Sequence, residues 1–192
     1  MAAMPAKRER LIRAGRDVIY RQGYSPTTLA QIAEAASVPL GNVYYYFKTK
    51  EAIAEAVIDA RVAELRAALE RAERRERPEE RLAALLEIHL ERCDDVAQRG
   101  CPYGTLAGEL GKRDGPLGER AALLVELQRE WMEQQFRAMG QGRRSRALAL
   151  ELLCAAQGAA LVAHALGEPD AMRTRFRELG AWVRGLARDE RR

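Results

Sequence analysis

The side chains best equipped for chemistry are concentrated in one short stretch. Asn42, Tyr44, Tyr45, Tyr46, Lys48 and Lys50 follow one another closely, next to Leu40 and Gly41. An amide, three phenols and two ammonium groups donate hydrogen bonds to phosphates and base edges. Successive helical residues point about 100° apart, so three consecutive tyrosines cannot all face a core. This chemistry suits recognition of a polyanion. Catalysis has little to work with: the only histidines are His89 and His164, and there is no HExxH, no phosphate-cradling glycine loop and no nucleophile elbow. The expectation is a protein that is not an enzyme and carries no cofactor.

The charge distribution points the same way. The net charge is +4, yet residues 1–50 hold eight Lys and Arg against Glu9, Asp17 and Glu34, which leaves 24 basic against 25 acidic residues in the rest. The positive excess therefore lies in the first quarter of the chain, where neutralised phosphates would release condensed counterions. A basic solvated helix face would show the same excess. With 47% hydrophobic and 31% charged residues the composition is globular. No hydrophobic leader precedes the first charged residues, and the most apolar stretch, 147–166, is interrupted by Glu151, Gln157 and His164. Three cysteines, Cys93, Cys101 and Cys154, contain no CxxC pair and fit a reducing cytoplasm without membrane attachment.

Helices must position these groups. Leu, Ala, Arg and Glu dominate, β-branched residues are sparse, and no apolar–polar alternation suggests a strand. Nine helices are predicted: 5–22, 28–36, 39–47, 50 to about 77, 79–97, a short one within 104–110, 116–139, 145–166 and 170–188, with a break at 111–115. Thr28 and Gln31 form a capping box, and Leu29, Ile32, Ala33 and Ala36 make one stripe of the helix it opens. Ser37-Val38 allows only a tight turn before Pro39 fixes the first φ of the next helix. There Leu40, Val43 and Phe47 cluster on one side, with Gly41, Asn42 and Tyr45 opposite. Two short helices so joined are a helix-turn-helix, whose second helix is free to enter a major groove.

Over residues 7–55 the sequence resembles the TetR/AcrR family. The match runs through Thr27, Thr28, Ile32, Ala33, Ala36, Val38, Gly41, Tyr44, Tyr46, Phe47, Thr49, Lys50 and Glu51. Ser37 stands where the family usually has a turn glycine, and Pro39 where it usually has serine. The resemblance implies an all-α, nine-helix protein with a helix-turn-helix head (1–50) on a helical ligand-binding and dimerisation domain (51–192). It implies a dimeric repressor of a palindromic operator, released by a small, mostly apolar effector. By position, Thr27, Tyr44, Tyr45, Tyr46 and Lys50 match phosphate contacts, with Thr28 and Lys48 beside them, and Leu40, Gly41 and Asn42 match positions facing base edges.

Beyond the head, the predicted helix 79–97 carries His89 and Cys93 at i, i+4 on a stripe with Leu82, Leu85, Leu86 and Val96. This is either a core histidine beside a small hydrophobic cysteine or a polar contact in a cavity, and two ligands without a third do not make a metal site. The predicted helix 116–139 turns Gln128, Trp131, Met132, Gln135 and Phe136 to one broad face, which suits a pocket or an ordinary core. The resemblance favours the pocket, with His89, Cys93, Tyr103, Gln128, Trp131, Met132, Phe136 and Gln157 as candidate lining. GCPYGTLAGEL (100–110) resembles a segment of some family members, electrophile-responsive ones included. Cys101 there is either inert or a thiol sensor. Ala155, Ala156, Gly158, Ala159 and Ala160 leave the eighth predicted helix slim, while the ninth carries Met172, Phe176, Leu179, Val183 and Leu186. Paired with a second copy, these two helices would form a four-helix homodimer interface; an intramolecular bundle is the alternative. A DNA binder that senses nothing would need the head but no pocket.

Overall fold

The structure is a computed structural model that describes residues 3–112 and 115–189. The helices are α1 (Ala3–Gln22), α2 (Leu29–Ala35), α3 (Leu40–Tyr46), α4 (Lys50–Glu73), α5 (Pro78–Leu90), α6 (Cys93–Arg99), α7 (Gly104–Leu110), α8 (Pro116–Ala138), α9 (Ser145–Leu166) and α10 (Pro169–Asp189), with a 3₁₀ turn at Gly142–Arg144. The fold is all-α, and the described residues contain no strand. The break expected at 111–115 includes residues 113 and 114, which lie outside the described residues.

The chain divides into two compact units, Met1–Ala63 with Thr105–Leu124, and Glu64–Gly104 with Val125–Arg192. In the first, Leu11, Ala14 and Val18 of α1 meet Ile32 and Ala33 of α2, Val43 of α3, Phe47, and Ile53 and Ala56 of α4 in one core. The sequence dictates this locally. Thr28 caps α2 by accepting from Gln31 N–H (3.2 Å) while Gln31 Oε1 accepts from Thr28 N–H (2.9 Å). Ser37 then takes φ +50, a left-handed conformation that lets Val38 N–H reach back to the Ala33 carbonyl (2.9 Å). Pro39 starts α3 with no side-chain cap.

In the second unit α10 packs against α5, α6 and α9, and α9 also packs against α6. Met172, Phe176, Leu179 and Val183 form the buried stripe of α10. These residues are thus covered by their own chain, and the large apolar residues that this unit leaves exposed among the described residues, Leu150, Leu161, Val162 and Leu166, lie on α9. The segment 79–97, expected as one helix, is two. The helix stops at Leu90, Arg92 leaves helical geometry (φ −115, ψ 13), and α6 restarts with Asp94 and Asp95 in its first turn. Aspartate is unfavourable in a helix interior and favourable at a helix N-terminus, so the acidic pair works better opening a new helix. Arg92 and Arg99 both pair with Asp95. By length and composition alone, Gly142–Leu166 could cross a membrane; Leu148, Leu152, Leu153, Ala156 and Ala160 on α9 are nevertheless buried within the fold.

Candidate nucleic-acid interface and effector cavity

The interface is built on the turn between α1 and α2. Gly23 ends α1 at φ +86, a conformation that costs other residues energy. The next two amides find their acceptor far away in sequence: Glu109, on α7, accepts from Tyr24 N–H and Ser25 N–H, both at 2.7 Å. A Cβ on residue 23 would stand 3.2 Å from Glu109 Oε2, so the position favours glycine twice. Burial pushes the Glu109 pKa up, but the Tyr24 and Ser25 hydrogen bonds outweigh it and hold the carboxyl below its ordinary value. Lys50 Nζ donates to the Ser25 carbonyl (2.8 Å) and sits 4.3 Å from the centre of the Tyr24 ring, whose hydroxyl donates to Glu51 (3.1 Å). Thr27 is 1% exposed; its hydroxyl donates to the Gly23 carbonyl (2.6 Å).

This framework leaves one face of α3 open. Val43 and Phe47 are buried, with Arg8 stacked over the Phe47 ring at 5.4 Å. Leu40, Gly41, Asn42, Tyr44 and Tyr45 are exposed, Tyr45 by 65%, and apart from its own helix backbone and chain neighbours no described residue comes within 4 Å of where a Gly41 Cβ would be. Tyr46 is half-buried and meets Tyr45 edge to face at 5.1 Å. Lys48 and Thr28 are also exposed. Of the ten residues singled out in the sequence, Thr27 and Lys50 are engaged inside the head, Thr28 caps α2, Tyr46 is half-buried, and Leu40, Gly41, Asn42, Tyr44, Tyr45 and Lys48 are exposed. Glu109 was not among them. A contact spanning 85 positions leaves no local trace.

The second unit contains a cavity of about 50 Å³, counting only space open to the centre of a water molecule. It brings together His89, Tyr103, Gln128, Met132 and Gln157 from the expected set, and adds Cys101, Met172 and Phe176. The other three expected residues lie elsewhere. Burial pushes the Cys93 thiol pKa up, partly offset by Arg173. Trp131 Nε1 donates to Glu73 (2.8 Å), and the Phe136 ring meets that of Trp182 at 6.1 Å. His89 Nδ1 is 2.7 Å from the Leu85 carbonyl, and the ring packs between those of Tyr103 (6.3 Å) and Phe176 (6.4 Å). Burial lowers the His89 pKa, against the opposing Leu85 bond and helped by Arg92, so the ring is neutral at physiological pH. A Cβ on Gly104 would come within 2.3 Å of Gln157 Oε1; the missing side chain lets α7 begin against the cavity wall. Gly104 N–H also points at Cys101 Sγ (3.4 Å).

A tight helix-turn-helix with a polar outward helix, in an all-α chain, defines a helix-turn-helix regulator. Comparison with known proteins narrows the class. Residues 11–57 match the family model of bacterial regulatory proteins of the tetR family. The transcriptional regulator AcuR of Cereibacter sphaeroides is 34% identical over 122 residues, 62% of this chain and 54% of that protein. An uncharacterised HTH-type regulator encoded in the lacX 3′ region of Lactococcus lactis is 31% identical over 110 residues, 56% of each chain. The chain thus spans little more than half the length of these relatives. The crystal structure of a regulatory protein TetR from Rhodobacter sphaeroides superimposes with a TM-score of 0.79 at 27% identity, covering 90% of this chain and 96% of that one. Residues 11–57 thus carry the segment that defines bacterial regulatory proteins of the tetR family, and the chain shares its fold with a TetR regulator over most of its length.

Proposed function

We propose that this protein is a cytoplasmic one-component repressor whose head, residues 1–50, binds a palindromic operator as a homodimer and lets go when a small molecule occupies the helical domain, 51–192. The observation that carries the reading is the outward face of α3, where Leu40, Gly41, Asn42, Tyr44 and Tyr45 are solvent-exposed beside Lys48 inside the segment matching the family model. Gly41 lets the backbone approach base edges, Asn42 can pair with an adenine edge, and Tyr44, Tyr45 and Lys48 reach phosphates. Two-fold symmetry would set the recognition helices about 34–36 Å apart, or a multiple of it. Support for pairing comes from α9, where Leu150, Gly158, Leu161, Val162 and Leu166 are exposed, Leu161 by 66%. An apolar strip of this kind is what an obligate dimer covers.

Fluorescence anisotropy on duplexes from the neighbouring genomic DNA tests the reading. Lys48→Ala should weaken binding to all sequences and flatten the salt slope by about one, because one phosphate contact is lost. Asn42→Ala should instead relax preference at one base pair, at a cost of about 1–3 kcal/mol. Failure of the intact protein to bind any such duplex overturns the reading. A second trigger has its own support: Cys101 borders the cavity, with the Gly104 N–H directed at its sulfur. Under that reading a small electrophilic alkene adds to Sγ, the sulfur supplying the electron pair and the thiol's own proton passing through water to complete the adduct.

A further inference from the structure

The cavity is specific in size and in polarity. Drug-sized sites span roughly 300–1,000 Å³, whereas about 50 Å³ of space for water centres accommodates only a few waters. Its walls are apolar where Leu85, Met132, Met172 and Phe176 meet it. The polar groups on the walls are not equivalent. Arg92 is engaged by Asp95 at 3.2 Å, and Gly104 N–H is directed at Cys101. His89 differs. A carbonyl oxygen only accepts, so the nitrogen 2.7 Å from the Leu85 carbonyl must carry the ring's proton, and Nε2 is left as a bare lone pair. Among the described residues Nε2 has no hydrogen-bond partner, and on this half-buried ring it stays open to a water or a ligand. A ligand that displaces water from this lone pair must complete it, because an unpaired polar atom inside a protein is costly. The missing partner is a donor. A carboxylate or an ether would set lone pair against lone pair.

We propose that the cavity selects a compact, uncharged aliphatic alcohol, on the order of five heavy atoms, whose hydroxyl donates to Nε2 of His89 while its hydrocarbon part lies against Met132, Met172 and Phe176. This rests on the reading of the cavity as the effector site and adds the chemical class of the effector. The methionines report occupancy: Met132 and Met172 line the cavity, whereas Met139 is buried without bordering it.

The test uses the full chain labelled with ¹³C-methyl methionine and three probes of matching size: 1-butanol, its isomer diethyl ether, and propionate. Butanol should shift the Met132 and Met172 methyls, leave Met139 in place, and bind about tenfold more tightly than ether, the worth of one hydrogen bond. His89→Phe should bring butanol down to the affinity of ether and leave ether unchanged. The comparison of the two isomers on the unsubstituted protein stands without that variant. If ether or propionate moves the two methyls as strongly as butanol, the ligand class is overturned and the cavity stands as an effector site. If none of the three moves them, both readings are overturned.

Discussion

Removing the Glu109 carboxylate tests how the DNA-binding head is held together. Glu109→Ala deletes the acceptor for two backbone N–H groups, each bonded at 2.7 Å. Hydrogen bonds to a charged partner are worth about 1.5–3 kcal/mol each when buried. Glu109 is only half-buried and Ser25 is exposed, so water replaces much of the second bond. Tyr24 is fully buried, and its N–H has less access to a replacement. About 1–2 kcal/mol for the pair follows, or roughly 3–6 °C in Tm for a chain of this size. The local readout is sharper than Tm: in hydrogen exchange, the Tyr24 and Ser25 amides should lose protection while the interior of α9 keeps its own. Duplex affinity should fall several-fold, because the freed turn immediately precedes the Thr28 cap of α2. Glu109→Gln, which offers one oxygen instead of two, should fall between. The pH dependence has a definite sign. The folded carboxyl is held below its ordinary value of 4.5, so its stabilisation is complete at neutral pH and is lost as pH falls through that lowered value. If Glu109→Ala leaves the Tyr24 and Ser25 amides as protected as before, the reasoning is refuted.

Three further outcomes are expected. Ser37→Gly should raise stability by up to about 1 kcal/mol in chemical denaturation, because residue 37 sits at φ +50, where a Cβ is strained; a loss of stability would mean that the serine hydroxyl outweighs the strain. Gly158→Arg should shift sedimentation towards monomer with helicity unchanged, since apart from its own helix backbone and chain neighbours no described residue lies within 4 Å of the added Cβ; an unchanged sedimentation coefficient moves the dimer face away from α9. Cys101→Ser should leave operator release intact if a reversible ligand is the trigger and abolish it if the thiol is, and intact-mass measurement after electrophile treatment separates the two.

The legible features were those whose cause is local. The capping box at Thr28 and Gln31 is a pair of residues three apart, and its two bonds are both present. Three tyrosines in a row had to diverge around α3; Tyr44 and Tyr45 are exposed while Tyr46 is half-buried. The break at Arg92 was less visible, because Leu82, Leu85, Leu86, His89, Cys93 and Val96 keep a helical period straight through it. Its signal was Asp94-Asp95, an N-terminal signature lying inside an apolar stripe. Three of the residues considered for the cavity, Cys93, Trp131 and Phe136, share their helix faces with residues that do line it. A helical stripe fixes the side of a helix, and depth along the helix decides what each residue meets.

The contrast between α9 and α10 shows where periodicity alone reaches its end. Met172, Phe176, Leu179 and Val183 are as regular a stripe as an interface helix would carry, yet their own chain covers them. An apolar stripe states that something must cover it, and a partner helix of the same chain satisfies that demand as well as a second copy does. On α9 the pattern was less regular but said more. It is apolar nearly all round, so one neighbour cannot bury it. One face holds Leu148, Leu152, Ala156, Ala160 and Ala163 against the fold, and the remaining Leu150, Leu161, Val162 and Leu166 are left at the surface. Small residues on that outer side, Gly158 above all, would let a second helix approach closely. An excess of apolar surface over what one core can absorb therefore asks for a second partner, which the regularity of a single stripe does not.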